Sequence, residues 1–200
     1  MRRYLFLFLI GLVLAPLAAT AQAGGPPPLA GTIASITGNV FVLTLQDGTQ
    51  KTVTLKDGAI ILDRQALTAD QIKAGDALGV AARSANGTLT ATSINVFAPQ
   101  MWDNPNMRKG QFAMTSGENM TMTNAITAQV IQNSQGHVLT MKVDMGIATI
   151  TVPDGIPIFR LVVVKQDQLT VGLPITVRAT ADANGNLTAS SVSFDRPARG

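Results

Sequence analysis

From Thr32 onward the chain alternates apolar and polar residues in short runs, and each run ends at a glycine, asparagine or aspartate. A two-residue period puts one face of an extended strand against a core and the other toward water. It predicts strands over residues 32–36, 40–45, 51–55 and 59–62, with turns at Gly38-Asn39, Asp47-Gly48 and Asp57-Gly58. One short helix is expected over 69–73, because Thr68 can cap it, Gln71 completes a capping box and Gly75 ends it. Strands 76–83 and 88–97 then pair as a hairpin through Asn86-Gly87, a dipeptide suited to a type I′ turn.

The same pattern returns later in the chain. "NGTLTATSI" (86–94) recurs as "NGNLTASSV" (184–192), and "IKAGDALGV" (72–80) as "LTVGLPITV" (169–177). "GTIASITGNVFVLTL" is echoed more loosely by "NAITAQVIQNSQGHVLTMKV" from Asn124. The spacing of about 97 residues is too long for a solenoid, so the pattern is a duplicated unit. The units span 31–97 and 124–194, after a Pro/Gly leader at 24–30. A linker covers 98–123 and a polar tail 195–200. The strand order predicts an all-β protein of two tandem, small, OB-like five-stranded barrels, each with one short helix. Barrel closure leaves few strand edges open. A single β-sandwich using both halves is the competing architecture.

The run of G-x-I, turn, V-x-L, D-G-T, "ADQIKAGD" and "ANGTLTATSI" resembles a family of exported bacterial domains of unknown function. The resemblance covers residues 31–97 well. It is weaker in the second unit, where Gly75-Asp76 becomes Gly172-Leu173. It implies an OB-like fold and an envelope location, and supplies no catalytic residues.

The N-terminus agrees with that location. Arg2-Arg3 precede an apolar run over 4–17, and Ala21-Gln22-Ala23 offers small residues where a signal peptidase reads. Residues 1–23 are therefore expected to be a signal peptide cleaved near Ala23, giving a periplasmic or secreted protein without a membrane span in the mature chain. Without them the balance is 13 basic against 12 acidic residues, and no basic run exceeds two. Neither that charge nor the scattered phenylalanines predict nucleic-acid binding. The absence of cysteine leaves stability to packing alone.

Little in the chain resembles catalytic machinery. It has one histidine (His137), one glutamate (Glu118) and no nucleophile elbow, zinc helix or phosphate loop, so no enzyme activity is expected. Asp47, Asp57 and Asp154 each precede a glycine and read as turn residues. His137 itself falls beside Gly136, where an exposed turn is expected. Asp182-Ala183-Asn184-Gly185-Asn186 begins like a calcium loop but lacks its later glycine and glutamate, so no calcium is expected there.

The unusual segment is "MWDNPNMRKGQFAMTSGENMTM" (101–122), with five of the eight methionines and the only tryptophan. Three readings fit it. Methionines fill irregular gaps, so the segment can pack between barrels. Thioethers also suit Cu(I) or Ag(I). Met120 and Met122 share a face if extended, with Met114, Met141, Met145, His137 and Trp102 as further candidates. In ligand types this set is similar to periplasmic copper and silver chaperones, although the residue order differs. The third reading is that 101–122 docks an envelope protein partner.

Overall fold

The computed structural model describes residues 27–114, 117–133, 136–144 and 146–196; the expected signal peptide, Met145 and the last four residues lie outside them. The chain is mostly β. In order come β1 (Leu29–Thr37), β2 (Val40–Leu45), β3 (Gln50–Ala66), β4 (Ala77–Ala85), β5 (Thr88–Val96), a short helix α1 (Pro99–Trp102), β6 (Gly110–Ala113), β7 (Met120–Asn133), β8 (Gly136–Val143), β9 (Gly146–Val152), β10 (Ile158–Val164), β11 (Pro174–Ala181) and β12 (Leu187–Arg196).

Several boundaries differ from expectation. The two strands expected over 51–55 and 59–62 are one strand, β3, that carries Asp57-Gly58 within it. Gly58 takes a positive φ of 74°, so the strand bends there instead of stopping. The expected helix is a single 3-10 turn, Ala69–Gln71. Gln71 Oε1 accepts the Thr68 N–H at 2.9 Å. The turn ends because Ile72 is extended and buried. The expected linker contains α1, β6 and the first four residues of β7, where Met-Thr-Met-Thr already alternates with period two.

Five strands close a barrel. β1 pairs β2, β2 pairs β3, β12 pairs β11 and β11 pairs β1, all antiparallel, while β12 joins β3 in parallel. The other pairings form a second hydrogen-bonded circuit. β7–β8, β8–β9, β4–β5 and β4–β7 are antiparallel, and β5 meets β9 in parallel at Leu89↔Ile150 and Thr90↔Thr151. Each circuit has its own core. Ile33, Phe41, Leu43, Val53 and Val177 fill the first, and Leu78, Val80, Leu139, Met141 and Ile150 the second.

The division into self-contained halves does not describe this pairing. Each circuit takes three strands from one repeat and the closing hairpin from the other. β4–β5 close onto β7–β9, and β11–β12 close onto β1–β3. The exchange is reciprocal and keeps register. Leu187↔Val53 and Val192↔Ile61 in one circuit correspond to Leu89↔Ile150 and Ile94↔Ile158 in the other.

The second half of β3 explains why the hairpins cross over. It pairs antiparallel with β10, its counterpart in the other repeat, from Val164↔Ile61 to Phe159↔Ala66. That ladder satisfies backbone groups on one edge of each strand and places the two connectors, residues 67–76 and 165–173, next to the opposite circuits.

Candidate functional site

The methionines divide into separate places. Met141 lies fully buried in the second core, so it is a packing residue. Met101 and Met107 line a shallow hollow of about 160 Å³ with Ile60, Asn104 and Asn106. Met120 and Met122 sit on the outer face of β7, since Thr121 and Thr123 alternate with them and Thr123 is buried. Phe112 of β6 is opposite Met122, and the Met114 N–H donates to the Met120 carbonyl at 2.8 Å. Residues directly opposite in an antiparallel pair share a face, so Met114, Met120 and Met122 lie on one face of the β6–β7 pair.

The other metal candidates are not part of that group. His137 pairs with Gln132, ten residues along β7 from Met122, a path of about 33 Å along the strand at about 3.3 Å per residue. Lys109 already covers the Trp102 ring, with its ammonium 4.5 Å from the centroid. Met145 lies outside the described residues. Two arginines belong to the same strand neighbourhood. Arg83 is paired with Met120, and the Arg108 guanidinium lies 3.7 Å above the Phe112 ring.

His137 is not an exposed turn residue. It belongs to β8 and its side chain is only 7% exposed. Its Nε2 lies 2.8 Å from Asp70 Oδ1, so the carboxylate accepts the Nε2 proton. Nδ1 is buried without a partner among the described residues. A bare acceptor costs less there than an unmet donor, which favours the tautomer with its proton on Nε2. The pair borders a cavity of about 260 Å³ lined by Thr68, Pro153, Asp154, Ile156 and Ile158. A catalytic dyad needs a nucleophile against the second imidazole nitrogen, and among the described residues none bonds to Nδ1. Among the described residues no three His, Cys, Asp or Glu side chains gather to hold a metal. Asp70 comes from the first repeat and His137 from the second, so the bond pins the connector to the circuit that receives its hairpin.

A groove of about 500 Å³ opens where β5 ends and α1 begins. Phe97, Pro99 and Trp102 form one wall, and Ile126, Arg160, Leu161 and Val163 line the other. The wall is built by packing. Phe97 and Trp102 stack at 6.5 Å between ring centroids. Gly79 leaves the space that the Phe97 ring fills, since a Cβ on Gly79 would collide with it. The Asn124 side-chain amide donates to the Arg108 carbonyl at 2.7 Å and ties the returning linker to β7. Arg160 makes no ion pair among the described residues. Among the described residues Val163 is one of four exposed large apolar residues, with Ile131, Ile147 and Val171, and none of these lies within 101–122.

The groove was not legible from residue types, because its walls join a linker tryptophan to the far strand β10. A smaller opening of about 340 Å³ stands at the corresponding place on the first barrel, where Pro174, Thr32, Phe194 and Arg64 replace Ala77, Ile126, Val96 and Leu161.

No helix among the described residues is long and apolar enough to cross a membrane. No curated protein and no solved structure matches the chain. Residues 30–95, which run from β1 to β5, match the model of a Domain of unknown function (DUF5666), a segment whose strands are here divided between both circuits.

Proposed function

We propose that the protein is an exported, non-catalytic binding protein of the bacterial cell envelope, built from two OB-like barrels that exchange their closing hairpins. In each circuit the strands follow the order first, second, third, fifth, fourth, with the third and fifth parallel, which supports the OB-like reading. The basic-then-apolar N-terminus supports export.

The observation that carries the binding reading is the groove beside Trp102. It has apolar walls, one aromatic stack and one guanidinium that makes no ion pair among the described residues, the mixture common in sites that hold an apolar ligand by a polar end. The test is a titration with 8-anilinonaphthalene-1-sulfonate, an apolar probe with one anionic group. Saturable energy transfer from Trp102, lost on Val163→Glu, is the expected result. Transfer that Val163→Glu leaves unchanged, or none at all, would overturn the groove as the site.

A second reading is a periplasmic soft-metal protein binding Cu(I) or Ag(I). It is favoured by Met114, Met120 and Met122 sharing one face, and opposed by Arg83 and Arg108 beside them. Titration with Cu(I) under reducing conditions decides it. One saturable site, abolished by Met120→Leu with Met122→Leu and kept by Met141→Leu, would establish the site; no uptake at micromolar metal would exclude it.

A further inference from the structure

β10 has two edges, and only one is fully paired. Along β3 it pairs from Phe159 to Val164. On the other edge β5 covers only Ile158, Arg160 and the residue between them, and the ladder stops at Val96↔Arg160. The chain then turns through Ala98 into α1, where Pro99 has no N–H to offer a ladder. The outer edge of residues 161–164 therefore has no backbone partner among the described residues, and it borders the groove.

The other circuit shows what such an edge accepts. There β12 stays on course two residues longer, so that Phe194, Asp195 and Arg196 pair with Asp63, Arg64 and Gln65. Those three positions of β3 correspond to Arg160, Leu161 and Val162 of β10. The added residues bring charge to charge, with Arg64–Asp195 at 3.3 Å and Arg196 Nε to the buried Asp63 at 3.2 Å. In the second circuit the charge is inverted. Asp63 is replaced by Arg160, which has no counter-ion, and the position of Arg196 is taken by Ala98, where the chain departs.

We propose that the groove receives an extended peptide segment of a partner protein, which adds to the open edge of β10 parallel to it and sets an acidic side chain against Arg160. Main-chain hydrogen bonds to an open edge give such a segment its affinity, and side-chain pockets give it selectivity. Here the Phe97–Trp102 stack and Ile126 form the apolar pocket, and Arg160 reads the charge. The proposal rests on the groove being a binding site and names its occupant.

The test uses the whole chain and its single tryptophan. The probe is a synthetic peptide with the sequence of residues 160–166, with glutamate in place of the first arginine, so that its acidic end meets Arg160 and the rest runs along 161–164. It is expected to shift Trp102 emission saturably, while the unaltered arginine peptide binds about tenfold more weakly, the scale of one charge pair. Arg160→Glu is on an exposed side chain and should reverse that order. A peptide with proline at its third and fifth residues should not bind, because it cannot donate to the edge. Equal binding of the proline peptide, or no reversal on Arg160→Glu, would overturn strand addition or charge selection respectively. Failure of the glutamate peptide where the naphthalene sulfonate still binds would sink the peptide occupant alone; failure of both would sink the groove itself.

Discussion

Arg64 of β3 and Leu161 of β10 face each other in one antiparallel pair, and they are the same position of the two repeats. A pair of equivalent positions meets on the two-fold relation that exchanges the repeats, so the local pseudo-two-fold axis of this ladder passes between these two residues. The sides they face have diverged. Arg64 stacks over the Phe159 ring at 4.0 Å and pairs with Asp195, whereas Leu161 is buried at the floor of the groove. The barrel has thus used this position to hold its own last strand, and the second circuit has left it as an apolar wall.

Cleavage of the linker should leave the halves together. A protease site inserted between Pro105 and Asn106, both exposed, lies between β5 and β6. Because each circuit contains strands of both repeats, the cut protein is expected to elute as one particle in size-exclusion chromatography and to separate only in denaturant. Two independently eluting fragments would mean that each repeat closes on itself.

The exchange can also be read by disulfide trapping, since the chain has no cysteine of its own. Thr90 and Thr151 are directly opposite in the β5–β9 pair, and Thr188 is opposite Thr54 in the β12–β3 pair. Opposed strand residues lie within the Cα range that a disulfide bridges. Thr90→Cys with Thr151→Cys should oxidise to a cross-link between the repeats, visible as a mobility shift after cleavage at the linker. Thr90→Cys with Thr54→Cys should not, although that is the pair a self-closed first repeat would form.

The Asp70–His137 bond should matter for stability and not for any activity. Asp70→Ala would leave both imidazole nitrogens buried without partners, at a cost of about 1–3 kcal/mol. The lower end is expected because the Asp70 side chain is 66% exposed and water can replace it. Asp70→Asn keeps an oxygen acceptor and should restore most of the loss. Urea denaturation of the three proteins, with a fixed slope, measures the difference. Equal loss in both variants would show that charge, not hydrogen-bond acceptance, holds the connector.

Most strands were legible because alternation reports a half-buried strand directly, as in β2, where Phe41 and Leu43 are buried between less buried neighbours. The repeat was legible too, since turn residues and register recur together. Which hairpin closes which circuit was not. A strand's own pattern states which face is buried but not which chain segment lies beside it, and the two hairpins are near copies that fit either circuit. The candidate site followed the same division. Met120 and Met122 share a face as their spacing required, while His137 is buried because Asp70, far away in sequence, meets it. Phe194 lies in the core of the first circuit, whereas Phe97 lies against Trp102, since Val96 occupies the corresponding core position of the second.

The turn between β11 and β12 offers a pH-dependent readout. Asp182 accepts hydrogen bonds at 2.8 Å from the Asn186 side chain and from the backbone N–H groups of Asn186 and Asn184. These bonds, the Asn186 side chain foremost, hold the Asp182 carboxyl below its ordinary value of 3.8. A group whose pKa is lower in the folded state favours folding at any pH above its unfolded value, and that contribution fades as pH falls through the folded value. The turn should therefore be unchanged from neutral pH down to about 3.8 and loosen only below it. The Asp182 carboxyl carbon followed by NMR should titrate below 3.8, and Asn186→Ala should move the midpoint back up. A midpoint that Asn186→Ala leaves in place would mean that the side-chain bond does not set it. Calcium added at neutral pH should not move that resonance, because the carboxylate already closes an Asn-Gly turn and lacks the further oxygens a calcium loop supplies.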